Sequence, residues 1–198
     1  MIYSFKGHKP VIHKTSFIHP LASVTGNVVI GKNVFIGSGA AIRGDIGKII
    51  IEEGCNVQEN CILHMFPGMT VRLKKGAHIG HGAIIHGATI GRNVLVGMHS
   101  VIMDHVVIGD NCIIGAMSLL TEGMRIPARK IVYGNPAKIS KNVSKEMLKW
   151  KTEGTKIYMS LPAQYLGTMK VVSPNSVSGK VSRAAQLKNY KTWKRTKQ

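Results

Sequence analysis

Apolar residues recur at every sixth position over most of the chain, and this spacing is its dominant pattern. A period of six matches neither the 3.6-residue turn of an α-helix nor the two-residue alternation of a plain strand. It is typical of a solenoid whose coils have three short flat sides. The pattern therefore predicts an all-β solenoid, a left-handed parallel β-helix of hexapeptide repeats. The aliphatic positions form four runs in the sequence: Ile12, Ile18, Val24, Ile30, Ile36 and Ile42; Ile51, Val57 and Leu63; Leu73, Ile79 and Ile85; Ile90, Val96, Ile102, Ile108, Ile114 and Leu120.

The other positions of each hexad favour small residues. Glycine often follows the aliphatic residue, as at Gly31 and Gly97, and a small residue often occupies the fifth position. All three cysteines, Cys55, Cys61 and Cys112, stand at that fifth position. An odd number of cysteines argues against a disulfide framework. We therefore expect small buried apolar residues there rather than reactive thiols.

The repeat breaks phase at three places, and the breaks predict surface loops. Nine residues separate Ile42 from Ile51, ten separate Leu63 from Leu73, and five separate Ile85 from Ile90. Extra residues in a solenoid leave the coil as loops on its surface, often beside a site. One such loop, residues 65–69, directly follows His64.

Three regions are expected along the chain. A β-helix domain covers residues 1–138, a C-terminal helical segment covers 139–170, and a basic tail, extended or disordered, covers 171–198. The tail carries seven Lys or Arg and no acid, within a chain whose formal net charge is +18. Its aromatic content is too low for a stacking surface, so nucleic-acid binding is not expected.

The helical segment has a clear start and two expected interruptions. Ser144 can cap a helix whose first turn contains Glu146. Gly154 is expected to interrupt that helix, and Pro162 is expected to limit or kink a second helical stretch. No run of apolar residues is long enough to cross a membrane, and the N-terminus lacks the pattern of a signal peptide. These features predict a cytoplasmic protein without a membrane partner.

Three of the nine histidines have a spacing that suits a metal site. His64 and His86 each follow an aliphatic residue at the same phase, 22 residues apart, which is one 18-residue coil plus an insertion. Neighbouring coils are stacked at about 4.8 Å, so two imidazoles on adjacent coils can converge on one ion. The remaining six histidines are interpreted as surface or turn residues: His8, His13, His19, His78, His99 and His105.

His81 has a different phase and is expected to join the site from another chain. It stands two positions after Ile79, so its side chain should not reach His64 and His86 within one subunit. In a homotrimer, each interface would receive two histidines from one chain and one from the next. Three imidazoles with an open fourth position are typical of a catalytic Zn²⁺ site, and Fe²⁺ or Co²⁺ are alternatives. The competing interpretation is three unrelated surface histidines.

Polar residues surround these histidines in the sequence. Arg43 and Asp45 stand at the first break in phase, and Asn56, Gln58 and Glu59 precede His64 by about one side of a coil. Taken alone, they fit a solvated surface. Taken with the histidines, they suggest groups that support the ligands and orient a substrate.

Three segments together resemble the γ-class carbonic anhydrase family. They are Arg43-Gly-Asp45, the run from Asn56 through Gln58-Glu59-Asn60 to His64, and Gly80-His81-Gly-Ala-Ile-Ile-His86. Within that family, the chain is most similar to the branch of phenylacetate-degradation and carnitine-operon proteins. The resemblance extends from about residue 3 to about residue 160, including Gly-Asn-Pro-Ala-Lys at 134–138.

The resemblance implies a role for each site residue. It implies a metal at each trimer interface, held by His64 and His86 of one subunit and by His81 of the next. Arg43 and Asp45 would support the interface, Gln58 would orient the reactive water, and Tyr158 would line the pocket. Glu59 stands where the family usually has Asp. The loop at 65–70 contains no acidic residue, so it lacks the proton-carrying side chains of the family's prototype.

Several functions fit this reading of the sequence. The first is hydration of CO2 to bicarbonate by a zinc-bound hydroxide at the trimer interface. The second keeps the metal but hydrolyses a CoA thioester, as the resemblance to the phenylacetate-degradation branch implies. The third is CoA-dependent acyl transfer with a histidine base and no metal, as in many hexapeptide-repeat proteins. A fourth is a trimeric scaffold or partner-binding protein without activity.

Overall fold

The computed structural model describes residues 1–173 and 192–193, which form a three-sided parallel solenoid followed by one long helix. Two of the three sides belong to one twelve-stranded sheet, because two long strands turn the corner between them. Its strands are β1 (Ile2–Tyr3), β2 (Val11–Ile12), β4 (Ser23–Ile30), β6 (Ala41–Ile51), β8 (Ile62–His64), β9 (Thr70–Leu73), β11 (Ile84–His86), β12 (Thr89–Ile90), β14 (Val101–Ile102), β15 (Val107–Ile108), β17 (Leu119–Leu120) and β18 (Arg125–Ile126).

The third side is an eight-stranded sheet, and it is the side that the helix covers. Its strands pair in parallel except for the last two, which form an antiparallel pair. In order along the chain they are β3 (Phe17–Ile18), β5 (Phe35–Ile36), β7 (Asn56–Val57), β10 (His78–Ile79), β13 (Leu95–Val96), β16 (Ile113–Ile114), β19 (Lys130–Gly134) and β20 (Ala137–Asn142).

The hexad aliphatics form the core, as the six-residue period predicts. On the third side, Ile36 pairs with Val57, Val57 with Ile79, and Ile79 with Val96. The side chains of this column point into the prism and are fully buried. Because each coil places the same kind of residue over the last, the core is a stack of aliphatic layers. The predicted fold, a left-handed parallel β-helix, is confirmed.

The cysteines lie where the sequence places them, but the first phase break does not form the surface loop that the sequence predicts. Cys55, Cys61 and Cys112 are buried and free, and burial raises the pKa of the Cys55 thiol to about 12. The first break, between Ile42 and Ile51, is absorbed by the eleven-residue strand β6, whose pairing with β4 shifts register at Gly26.

In the part of the chain that the structure describes, one α-helix, α1 (Lys145–Thr168), follows the solenoid, and it corrects two expectations. Its start is as predicted, since the Ser144 hydroxyl accepts a hydrogen bond from the Met147 amide. Gly154, however, does not interrupt the helix, and Pro162 lies inside it. Both residues are buried against the solenoid, so tertiary packing outweighs their low helix propensity.

Helix α1 is fastened to the third side at two levels. Near its start, the buried Lys151 donates from Nζ to the Gly76 carbonyl at 3.1 Å and to Asn93 Oδ1 at 2.6 Å. Near its end, the Tyr165 ring packs on Phe17 and Phe35, with centroids 4.8 and 5.3 Å away. The helix therefore covers the column of outward residues on the third side. The predicted tail, apart from residues 171–173 and 192–193, lies outside the described residues.

Candidate functional site

His64 and His86 are neighbours on adjacent coils. Strands β8 and β11 pair in parallel, and their register places His86 beside His64. His64 Nδ1 lies 3.3 Å from His86 Nε2, and the ring centroids are 5.3 Å apart. The shared hexad phase and the one-coil separation thus bring the two side chains together.

Each of these imidazoles has a carboxylate on its other nitrogen. His64 Nε2 lies 3.2 Å from Asp45 Oδ1, and His86 Nδ1 lies 2.7 Å from Asp104 Oδ1. A carboxylate can only accept a hydrogen bond, so the ring nitrogen beside it carries the proton. In the neutral rings, the two nitrogens of His64 and His86 that face each other therefore both carry lone pairs. Two lone pairs at 3.3 Å repel each other unless a proton or a cation lies between them.

Asp104 is a site residue that the sequence reasoning missed. Its side chain is only 5% exposed, and it follows His86 by eighteen residues, one whole coil. That spacing was a usable signal, because a side chain one coil away stacks on its neighbour. Asp104 fixes the tautomer of His86, with the proton on Nδ1 and the lone pair on Nε2.

Asp45 is held from two directions within the same chain. Its Oδ2 accepts from Arg43 Nη1 at 2.7 Å, while its Oδ1 faces His64. Burial acts to raise the pKa of Asp45, but the hydrogen bonds from Arg43 and His64 outweigh it, and the pKa lies below its usual value. Asp45 is therefore a carboxylate at neutral pH.

His81 lies away from that pair in a single chain. It occupies the turn after β10 and is 46% exposed, and its Nδ1 lies 2.6 Å from Glu59 Oε2. Among residues 1–173 and 192–193, no group of three or more His, Cys, Asp or Glu side chains is placed to hold a metal ion. The three-histidine site expected from the sequence therefore needs a second copy of the chain to be complete.

A second polar cluster lies between the third side and helix α1. Gln58 Nε2 lies 3.0 Å from Asn56 Oδ1 and 2.6 Å from His78 Nε2. The Tyr158 ring stands edge-on to the His78 ring at 4.7 Å, and its hydroxyl is hydrogen-bonded to Gln58. Gln58, Asn56 and Tyr158 were expected beside the histidine site, and within one chain the structure brings them together with one another and with His78.

His78 corrects the expectation of a surface or turn histidine. It lies under Tyr158, and burial, with a contribution from the charge of Lys151, lowers the pKa of His78 to about 3. Burial also raises the pKa of Tyr158, as does the charge of Glu59. His78 is therefore neutral and Tyr158 keeps its proton at physiological pH. The sequence pattern missed this burial because the covering residue stands eighty positions later.

The donor set fits a divalent metal of the kind that imidazole binds. Two nitrogens at about 2.0–2.1 Å from a tetrahedral ion are separated by roughly 3.3–3.4 Å, and the His64 and His86 nitrogens are 3.3 Å apart. His64, His86 and His81 each have one ring nitrogen on a carboxylate, so the second nitrogen of each ring has no carboxylate partner and can face an ion. Metal-binding histidines commonly have this support.

A shallow cavity of about 320 Å³ opens beside Asp45, between the two long insertions. Its lining includes His8, Lys48 and Thr70, together with backbone at Gly44 and Gly68. The cavity lies next to the carboxylate that holds His64, so a small molecule can approach this edge of the site. No helix in the described part of the chain is long and apolar enough to cross a membrane.

Comparisons with known proteins identify the repeat and several relatives. The family model described as bacterial transferase hexapeptide (six repeats) matches residues 9–44 and 87–122, and the hexapeptide repeat of succinyl-transferase matches residues 27–65. The carnitine operon protein CaiE of Escherichia coli K12 is 46% identical over 159 residues, which cover 80% of this chain and 81% of CaiE. CaiE of Proteus sp. LE138 is 44% identical over 160 residues, which cover 81% of each chain.

Two solved structures share both fold and sequence with the chain. An inferred acetyltransferase of Bacillus cereus has a TM-score of 0.83 and 34% identity, covering 84% of this chain and 97% of its own. A hexapeptide transferase family protein from Anaplasma phagocytophilum has a TM-score of 0.80 and 33% identity, covering 83% and 98%. Each of these relatives covers more than four fifths of this chain.

Proposed function

Because the chain belongs to the hexapeptide-repeat family, in the γ-carbonic anhydrase-like branch that includes CaiE, we propose that it is an acyl-transfer enzyme. The donor is a thioester, such as an acyl-CoA, and His86 is the general base. The observation that carries this proposal is the 2.7 Å contact between His86 Nδ1 and the buried Asp104 carboxylate. A carboxylate in this position orients an imidazole and stabilises its protonated form.

The reaction follows from the free nitrogen of His86. Nε2 takes the proton of an acceptor hydroxyl, amine or water while the acceptor oxygen or nitrogen attacks the thioester carbonyl carbon. The carbon–sulfur bond then breaks, and the protonated His86 returns the proton to the leaving thiolate. With water as the acceptor, the same sequence is thioester hydrolysis, so the acceptor decides between a transferase and a thioesterase.

The comparisons support acyl chemistry rather than identify a substrate. The matched repeat model and the two solved relatives are described as transferases. The excess of positive charge, +18 over the whole chain, would also attract the phosphates of a CoA-type donor.

We also propose that the active form is a homotrimer. The outward positions beside the histidines form an apolar row on β6, β8, β11, β14 and β17, in which Ile62 is 44% exposed. Ile62 and Ile84 stand two residues before His64 and His86, so the row and the histidines share one face. Packing this face against the corner of a second copy that holds His81 would cover the row and complete the site. The row is made of Ala41, Ile62, Ile84, Val101 and Leu119.

A second candidate is a metal-dependent enzyme that activates water, acting on CO2 or on a CoA thioester. The observation that favours it is the 3.3 Å pair of lone-pair nitrogens on His64 and His86, together with the free nitrogen of His81. These residues would hold Zn²⁺, or Fe²⁺ or Co²⁺, and such an ion would lower the pKa of water to about 7. The carboxylates of Asp45, Asp104 and Glu59 would orient the three imidazoles.

One experiment tests the proposal. The purified protein is given a panel of acyl-CoA thioesters, and thiol release is followed with and without amine or alcohol acceptors. The panel is run on chelator-treated protein and on zinc-loaded protein, with CO2 hydration measured in parallel. Thioester turnover by metal-free protein supports base-catalysed acyl transfer. Turnover that requires zinc supports the second candidate, and CO2 hydration alone would refute acyl transfer.

Replacing single histidines sharpens the result. His86→Gln should abolish turnover under either candidate, whereas His81→Ala should remove bound metal only if the three-histidine site forms. His105→Asn is the matched control, since His105 is exposed and has a φ of 60°, which asparagine tolerates. Full activity of His86→Gln in intact oligomers would eliminate both candidates.

A further inference from the structure

An exposed phenylalanine lies against the histidine that the proposed reaction uses as its base. Phe66 is 59% exposed, and its ring stands edge-on to the His86 ring, with centroids 5.1 Å apart and an interplanar angle of 82°. A large apolar ring gains free energy when another apolar group covers it. The open part of the Phe66 ring is therefore a contact surface for a group that binds beside His86.

The loop that carries Phe66 is held in place at its base. In loop 65–69, Met65 is fully buried in the core, and the Gly68 amide donates to the Ile46 carbonyl at 3.0 Å. The alternation of inward and outward side chains in strand β8 continues into the loop, so the buried Met65 leaves Phe66 pointing outward. A ring on a fixed loop loses little further freedom when a ligand packs against it.

A second apolar side chain lies beside His86 on the next coil. Met103 directly follows Ile102, which pairs with Ile85. His86 directly follows Ile85, so Met103 has the position on its own coil that His86 has on the coil before. Met103 is 37% exposed, and its unbranched thioether can adapt to apolar groups of different shape. The base therefore has apolar neighbours both on the loop and on the following coil.

We propose that Phe66 and Met103 determine the specificity of the site by binding the acyl group of the thioester. The preferred donors then carry an apolar chain or ring rather than an acetyl group or a charged acyl group. The attacked carbonyl carbon must lie near His86 Nε2, so the group attached to it comes within reach of the ring 5.1 Å from His86. This inference rests on the proposed acyl transfer and adds to it the class of acyl group.

The acyl group is assigned to Phe66 because the rest of a CoA donor suits a different surface. The cavity beside Asp45 is lined by the polar side chains of Asn27 and Thr70 and by the cationic Lys48. The arm of CoA consists of amides and ends in phosphates, which favour hydrogen-bonding and cationic partners. The apolar surface at Phe66 offers no such partner and is left for the acyl group.

Binding tests this assignment without any turnover. The probes are CoA analogues that cannot be cleaved because a methylene separates the sulfur from the carbonyl, with an acetyl, hexanoyl or 3-phenylpropanoyl group. By titration calorimetry, the two larger analogues should bind the wild type about 10-fold more tightly than the acetyl analogue, or better. Phe66→Ala should reduce this preference to about threefold or less, because it removes the apolar contact.

Tyr133→Ala is the matched control for the loss of an exposed ring. Tyr133 is 55% exposed and lies in β19, in the other sheet, so its removal should leave the preference unchanged. Equal affinity of the wild type for all three analogues would overturn this inference alone. No binding of any analogue would overturn the proposed function and this inference with it.

Turnover separates a contact with the acyl group from a contact with CoA. Phe66→Ala should lower kcat/KM about 10-fold for hexanoyl-CoA and leave acetyl-CoA within about threefold, and Met103→Ala should act in the same direction. An equal loss for both donors would place Phe66 on the CoA arm, which every donor shares, and would refute the assignment. Phe66→Ala should also sediment as the wild type does, and a smaller oligomer would assign the ring to a subunit interface instead.

Discussion

Replacing Asp104 by Asn tests the site most directly, because it removes a charge and changes little else. The Asp104 carboxylate lies 2.7 Å from His86 Nδ1 and is 5% exposed. A charge-assisted hydrogen bond of this kind contributes about 1.5–3 kcal/mol, and each 1.4 kcal/mol is about tenfold in rate. We therefore expect Asp104→Asn to lower kcat/KM by roughly 10- to 100-fold, as is typical of residues that orient a base or a metal ligand.

Asp110→Asn is the matched control for this prediction. Asp110 stands one hexad further along and pairs with Arg92 at 3.7 Å on an exposed surface, where an ion pair contributes little. Activity is read from thiol release, and the affinity for Co²⁺ is read by titration of chelator-treated protein. Unchanged activity and unchanged metal affinity of Asp104→Asn, in oligomers that match the wild type, would refute the role given to Asp104. Equal losses in Asp110→Asn would point to a general effect of charge.

Three further predictions concern the packing around Asp104, the proposed subunit interface and the burial of His78. Gly87→Ala places a methyl group against the Asp104 carboxylate at a φ of +54°, so we expect activity to fall as in Asp104→Asn and the melting temperature to fall as well, measured by calorimetry. Ile62→Asp should convert trimers to monomers in sedimentation, whereas Leu21→Asp, at a leucine that is even more exposed but lies outside the apolar row, should not; trimers in both would contradict the proposed interface. Burial lowers the pKa of His78 from 6.5 to about 3, so the contribution of the neutral ring to stability is complete above pH 6.5 and is lost as the pH falls toward 3. In that window the difference in free energy of unfolding between wild type and His78→Phe, measured by urea unfolding, should change by up to about 1.4 kcal/mol per pH unit. A difference that does not change with pH would contradict the burial of His78.

The solenoid and the contact between His64 and His86 were predictable because both depend on one period. A residue at a given hexad phase faces the same way on every coil, so the phases of His64 and His86 fix their contact. The separate position of His81 follows from its different phase. The position of Asp104, one coil beyond His86, could have been predicted from the same period. It was missed because a single acidic residue forms no repeating pattern in the sequence.

The burial of His78 and the course of helix α1 were not predictable in the same way. Both depend on contacts between the helix and the third side, made by residues that are 80 positions apart for His78 and Tyr158 and 148 positions apart for Phe17 and Tyr165. Local preference alone suggested a break at Gly154 and an end near Pro162. The long helix persists because its buried face supplies free energy that outweighs those preferences.

The contacts of helix α1 also relate the length of the helix to the number of coils that it crosses. From Lys151 to Tyr165 the helix rises about 21 Å at 1.5 Å per residue. Its two anchor points on the solenoid are Asn93, in the turn before β13, and Phe17, in β3; these two strands are four strand spacings apart, about 19 Å. The length of the helix therefore matches the number of coils between its two anchor points. A homologue that gains one coil between these anchors must add about three helical residues, or Tyr158 will no longer stand over His78.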